Sequence, residues 1–180
     1  MKPKPRQLSL RQRLQYRLYA AHLTRPHLKN LVFTLGCLGL YGLLYLPIGL
    51  SQGFLEWQPE SNPWQWFQTT IMALIMPVFF EELIFRVILI PHPTEPIGPI
   101  SRQRLIFLSW WGFILCHLLP WTPTFFHQPP FLIGAGFLGF VCTLSYLQSR
   151  SIWMPIVLHW AIVSQWLLLW GGLEKFRSSI

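Results

Sequence analysis

Glu81, Glu82 and Arg86 stand inside the run IMALIMPVFFEELIFRVILI, and His117 and His159 stand inside two later apolar runs. A charged side chain at the centre of a lipid-facing helix costs roughly 2.5 to 3.5 kcal/mol, so these three charges must face a polar interior. Glu82 and Arg86 are four residues apart, stack on one helical face and can pair as carboxylate and guanidinium. Glu81 lies about 100° further round the helix and is left over once that pair is made, which marks it as a functional candidate. A carboxylate and an imidazole aimed at one water can take its proton. A second imidazole can then donate to the oxygen that gains charge when a carbonyl is attacked. Glu81, His117 and His159 are therefore the expected catalytic residues of a peptide hydrolase.

Such residues need a scaffold that carries them inside a bilayer, and the composition supplies one. Hydrophobic residues make up 52% of the 180 and charged residues 11%, against about 25% charged in a soluble domain. The expected fold is all-α, a polytopic transmembrane bundle of about five spans near 31–50, 67–90, 104–120, 131–147 and 152–170, set by the length a bilayer demands. The expected organisation is a basic cytoplasmic leader over 1–30, one protease-like helical domain over 31–170 and a short polar tail over 171–180. The net charge of +8 could suggest nucleic acid, but eight of the fourteen cations, Lys2, Lys4, Arg6, Arg11, Arg13, Arg17, Arg25 and Lys29, precede the first span. A polybasic stretch there orients the span and meets anionic lipid headgroups, so no nucleic-acid partner is expected. It is also longer and more polar than the n-region of a signal peptide.

With the leader in the cytoplasm, segment 51–66 lies outside with Glu56 and Glu60, Arg102 and Arg104 lie inside, 121–130 lies outside uncharged, and Arg150 lies inside. Cationic residues alternate as this multi-pass topology requires, with Lys175 and Arg177 of the tail on the opposite side. Trp57, Trp64, Trp66, Trp121, Trp166 and Trp170 are expected at the outer interface. Gly134, Gly136 and Gly139 mark the fourth span as a close-packing helix. Counted from the cytoplasmic ends, Glu81, His117 and His159 fall about 11 to 19 Å deep. Cys37, Cys116 and Cys142 form no paired motif and are expected to pack. His22, His27, His92 and His127 fall in the leader or loops and are read as solvated. Pro77 and Pro155, each four residues before a proposed active residue, open the helix locally.

EELIFR at 81–86 matches an EExxxR pattern and FILCH at 113–117 matches FxxxH, while His159 follows in SIWMPIVLHW. Over about 67–170 the chain thereby resembles the CAAX protease and bacteriocin-processing (CPBP, or Abi) family of intramembrane proteases. The resemblance implies a membrane endopeptidase in which Glu81 activates water with His117, Glu82, Arg86 and Phe113 support the site, and His159 helps bind the oxyanion. It also implies a membrane-associated or lipid-modified, CAAX-like protein or peptide substrate, entering from the lipid or the cytoplasmic side. One departure stands out. The third motif normally carries Asn or Asp four residues after its histidine, and here position 163 is valine, which donates no hydrogen bond. Loss of such a donor elsewhere costs a factor of about 10² to 10³ in turnover. The alternative reading is therefore a non-proteolytic scaffold or immunity-type binding protein. No cofactor is expected. Zinc ranks below a glutamate mechanism, since no HExxH places two ligands on one helical face.

Overall fold

The computed structural model describes residues 9–178, and Lys2, Lys4 and Arg6 of the leader lie outside the described residues. Every extended element among the described residues is helical, with one isolated bridge between Gln58 and Trp170. The helices are α1 Leu10–Leu23, α2 Leu28–Ser51, α3 Pro63–Ala73, a three-residue α4 Phe80–Glu82 flanked by π-helical turns Leu74–Phe79 and Leu83–Ile88, α5 Pro99–Leu115, α6 Pro129–Ser149, α7 Trp153–Leu169 and α8 Gly172–Arg177. Two of them, α2 and α6, are long and apolar enough to cross a membrane, and α7 is a shorter apolar helix. Along α2, Leu31, Val32, Leu35, Leu43 and Leu50 are exposed, a surface suited to lipid rather than water.

Two expected spans differ in form. The run 67–90 is not one helix: it breaks at Met76, whose φ of −135° and ψ of 120° are extended, and Pro77 supplies no backbone donor to rejoin the ladder. The first half is held from outside by the Trp160 indole, which donates to the Thr70 carbonyl at 2.8 Å. The run 104–120 begins earlier, at Pro99, which suits the first helical position, and ends in a 3₁₀ turn over Cys116–Leu118. The fourth and fifth expected runs agree with α6 and α7 to within two residues.

The glycines of α6 act as the sequence suggests. A Cβ on Gly134 would stand 2.6 Å from the Tyr45 ring, and one on Gly139 would stand 2.9 Å from the Phe113 ring. Absent side chains thus let α2 and α5 press against α6. Polar pairs fix the register of α2 on α6: Thr34 and Ser145 share a hydroxyl hydrogen bond of 3.0 Å, and Asn30 donates to Gln148 at 3.0 Å.

These contacts sort the bundle into two ends. At one end lie the start of α2, the end of α6, the start of α7 and the loop joining the broken helix to α5. There α1, capped by Ser9 with Gln12 answering reciprocally, docks on the bundle. Ala21 is fully buried and its carbonyl accepts from the Ile152 amide. Arg17 pairs with Glu95 through Nε–Oε2 at 2.7 Å and Nη2–Oε1 at 3.1 Å, and gives a third bond to the Ile88 carbonyl. Leader residues therefore do structural work as well as carry charge. His92, expected to be solvated, is 3% exposed, with Nδ1 at 2.7 Å from the Thr94 hydroxyl and Nε2 at 3.1 Å from the Arg150 carbonyl. Arg102 closes this loop on the carbonyls of Pro91, His92 and Glu95.

At the other end the tail folds back. Phe176 of α8 packs edge-on to Phe125 and Phe126 and against Trp166, and Arg177 reaches Glu60 at 2.8 Å. Trp57, Trp64, Trp66 and Trp121 are exposed, whereas Trp166 is stacked on Phe54 inside this aromatic cluster.

Burial, seconded by Arg150 and Arg102, holds the His92 imidazole below its ordinary value of 6.5, against the opposing pull of the Arg150 carbonyl and Glu95. The folded chain then takes up this proton less readily than the unfolded chain, so stability rises with pH in the window between the two values. Acidification through about 6.5 should lower the thermal midpoint of the detergent-solubilised protein, with the loss levelling off below the depressed folded value. His92→Gln should flatten that slope, measured by unfolding midpoints between mildly acidic and neutral pH.

Candidate active site

The i, i+4 spacing of Glu82 and Arg86 survives the π-helical turn. Arg86 Nε lies 3.2 Å from Glu82 Oε2, and the two side chains are 1% and 0% exposed. That contact is an ion pair rather than an aligned hydrogen bond, because Glu82 Oε2 and Arg86 Nε and Nη1 make no hydrogen bond. The guanidinium is steadied elsewhere. Its Nη2 donates to the Gly139 carbonyl at 3.2 Å, and its centre lies 4.6 Å from the Phe113 ring, within range of a cation–π attraction. The hydroxyl of Ser109 donates to the Phe85 carbonyl in the same π turn and ties it to α5.

Glu82 also has a second partner. Its Oε1 accepts from His159 Nδ1 at 2.8 Å, which orients the α7 imidazole. Glu82 is not spent on Arg86 alone, because its two carboxylate oxygens serve two partners. His159 Nε2 consequently faces Glu81, at 3.8 Å from Oε2, too long for a direct hydrogen bond. Glu81 keeps 21% of its side chain exposed while Glu82 beside it keeps none.

Phe113 is the hub. Its buried ring meets His117 at 5.2 Å, His159 at 5.9 Å and Phe85 at 5.3 Å, besides Arg86. The four-residue spacing of FxxxH has a second use: His117 Nδ1 lies 2.8 Å from the Phe113 carbonyl one turn back. That carbonyl can only accept, so Nδ1 carries the proton and Nε2 is left with its lone pair. Phe126 and Phe131 pack on the same imidazole. Among the described residues no hydrogen bond or ion pair joins His117 to Glu81. Of the five polar residues expected together, four are in contact and His117 reaches them through Phe113.

A cavity of about 690 Å³ leads to Glu81. One face of α3 and the break lines it, through Gln65, Gln68, Thr69, Met72, Ala73, Met76 and Pro77, facing Tyr41, Phe131, Val163 and Trp166. Glu81 is the charged residue on this wall, and its volume falls in the range usual for ligand sites. Val163, where an amide was expected, lines the cavity as well.

Residues 62–164 match the family model described as type II CAAX prenyl endopeptidase Rce1-like, more than half of the chain. The chain belongs to the Rce1-like family. Searches of curated proteins and of solved structures found no match. Membership makes this a membrane-integral protein of CAAX protease type, a family of peptidases acting on membrane-associated substrates.

Glu82, Cys142 and His159 bring three donor atoms within 4.8 Å of one another. The thiol was expected only to pack, and its neighbourhood with Glu82 was missed. However, both Glu82 oxygens already face cationic or N–H partners, and the Arg86 guanidinium supplies the compensating charge that a divalent ion would have to displace. Glu81, open to the cavity, lies outside that cluster.

Two further contributors escaped sequence reasoning. The Gly139 carbonyl serves both Arg86 and Thr143, yet a backbone oxygen leaves no residue signature. The α3 wall could have been found, since Gln65, Gln68, Thr69, Met72, Ala73 and Met76 recur at helical spacing.

Arg86→Ala would leave Glu82 buried beside a single partner, and breaking a buried pair costs about 3 to 5 kcal/mol. Arg86→Ala should therefore fall below the stability of Glu81→Ala, whose carboxylate is partly exposed, by a margin measurable as a lower thermal midpoint in detergent.

Proposed function

We propose that this member of the family is a glutamic-type intramembrane endopeptidase that hydrolyses a peptide bond in a membrane-associated or lipid-modified, CAAX-like protein or peptide. The observation that carries the reading is a pair of adjacent carboxylates in opposite environments. Glu82 is sealed between Arg86 and His159, while Glu81 opens on the cavity beside the same imidazole.

In this reading Glu81 takes a proton from water as the water attacks the scissile carbonyl. His159, its Nδ1–H held by Glu82, acts as the imidazolium and donates from Nε2–H to the oxygen on which charge develops. His117 presents Nε2 as a second acceptor, which relays the proton towards the departing amine. Arg86 and Phe113 act through their hold on Glu82 and the two imidazoles. The peptidase is multi-pass, with its basic leader in the cytoplasm against anionic headgroups, and nucleic acid is no partner.

Val163 favours a second reading, a scaffold or immunity-type protein that keeps the fold and binds a membrane partner in the cavity without cutting it. An amide at 163 would face the same cavity as Glu81.

General-base catalysis contributes about 10² to 10⁴-fold, so Glu81→Gln should reduce kcat by that order in a purified cleavage assay, at unchanged thermal midpoint. Cleavage undiminished in Glu81→Gln would reject the glutamate mechanism. Val163→Asn should raise kcat if the chain is a weakened enzyme. The scaffold reading is supported instead if neither the parent chain nor Val163→Asn cleaves a peptide that both still bind.

A further inference from the structure

Valine at 163 leaves the proposed site one hydrogen-bond donor short, and α2 carries a side chain that can make up the difference. The buried residues of α2 are Asn30, Thr34, Cys37, Tyr45 and Gly49, a stripe at three- and four-residue spacing that marks the face packed on α6 and α7. Tyr41 continues that stripe, four residues after Cys37 and four before Tyr45, yet it is only half-buried. Exposure on this face is exposure to space inside the bundle. Tyr41 indeed lines the cavity together with Glu81 and Val163.

The packing sets Tyr41 beside the site. Its ring lies against the cluster that contains Phe113, Cys142 and Ile162, and Phe113 is the ring that meets His117, His159 and Arg86. Val163 packs on the same cluster from α7. The Tyr146 hydroxyl is sealed without a partner, whereas the Tyr41 hydroxyl is not sealed and makes no hydrogen bond among the described residues. Other donors on the cavity are placed differently. Gln65, which donates to Thr69 at 3.4 Å, and Gln68 belong to the first turns of α3, before the break at Met76. Trp166 packs among Phe54, Phe125, Phe131 and Phe176. Tyr45 lies one turn beyond Tyr41 with Phe54, Leu55 and Phe125, its hydroxyl 2.9 Å from where a Cβ on Gly134 would stand.

We infer that Tyr41 is a catalytic residue of this site, donating from its phenolic hydroxyl to the oxygen on which charge develops, in the place that an amide at 163 would fill. This rests on the peptidase reading. The phenol keeps its proton throughout, and its hydrogen bond strengthens as the neutral carbonyl becomes an oxyanion, because bonds to an ionised acceptor are roughly twice as strong as neutral ones. The oxyanion is then held from two helices, by His159 of α7 and by Tyr41 of α2. Valine at 163, apolar and without a donor, leaves that space to the phenol. The donor has moved from one helix to its neighbour.

Two probes test this: a quenched fluorescent peptide ending in a farnesylated CAAX sequence, and its phosphinate analogue, whose tetrahedral phosphorus carries the anionic oxygen of the attacked carbonyl. Tyr41→Phe removes one oxygen atom. It should lower kcat about 10²-fold with KM and thermal midpoint unchanged. It should also weaken the phosphinate, while affinity for the peptide, measured in a Glu81→Gln background, stays as it was. Val163→Asn should recover most of the lost kcat in Tyr41→Phe and give a far smaller gain in the parent chain. Equal gains in both backgrounds overturn the inference, as does Tyr41→Phe that cleaves like the parent. So does an equal loss of affinity for peptide and phosphinate, which marks a packing role. If the parent chain cleaves nothing, the peptidase reading fails, and the ratio of phosphinate to peptide affinity decides Tyr41 by itself: a ratio that falls in Tyr41→Phe supports the donor, and an unmoved ratio removes it.

Discussion

A carboxylate and a guanidinium with no more than 1% of their side chains exposed can stay ionised inside an apolar bundle only if each meets opposite charge and hydrogen-bonding dipoles. Glu82 and Arg86 meet both conditions, and much of the surrounding structure follows from how. Arg86 needs a carbonyl acceptor, which the α6 backbone provides at Gly139 because the missing side chain lets Phe113 and α6 approach. It needs an aromatic face, which α5 provides in Phe113. Glu82 needs a second donor, which α7 provides in His159. The segment carrying the charges is thereby fastened to three helices at once.

That arrangement separates two neighbouring carboxylates into two environments. Glu82 spends its charge on holding the imidazole and guanidinium still. Glu81, one position earlier and turned away, is spared any direct ion pair shorter than 3.8 Å and looks into the cavity. The broken helix makes this geometry available. Up to Ala73 it presents a polar and then apolar face as the cavity wall, and after Pro77 it resumes with a changed direction and carries the charges inward.

Features written at short range were legible from residues alone. The Glu82–Arg86 pair and the Phe113–His117 pair both follow from four-residue spacing on a helix, and the close approach at Gly134 and Gly139 follows from their missing side chains. What stayed hidden joins residues far apart in the chain. Arg17 and Glu95 are 78 positions apart, His92 meets the Arg150 carbonyl 58 positions on, and Trp166 packs among Phe54, Phe131 and Phe176. Side-chain type placed Arg17 in a basic leader and His92 in a solvated loop, and distant partners bury both.

The amino-acid sequence by itself determined that the chain is helical and apolar, that charges at 81, 82 and 86 must be sheltered, and that an acid and two imidazoles are available for hydrolysis. These conclusions depend on local periodicity and on the cost of placing charge in hydrocarbon, and both are properties of composition and spacing. The tertiary structure alone decided that Glu81 meets a cavity, that His159 answers to Glu82, and that the cavity lies at the end away from the cationic residues. Those outcomes depend on which helix faces pack together, and the free energy that selects them is spread over contacts between α2, α5, α6 and α7 that no single segment contains.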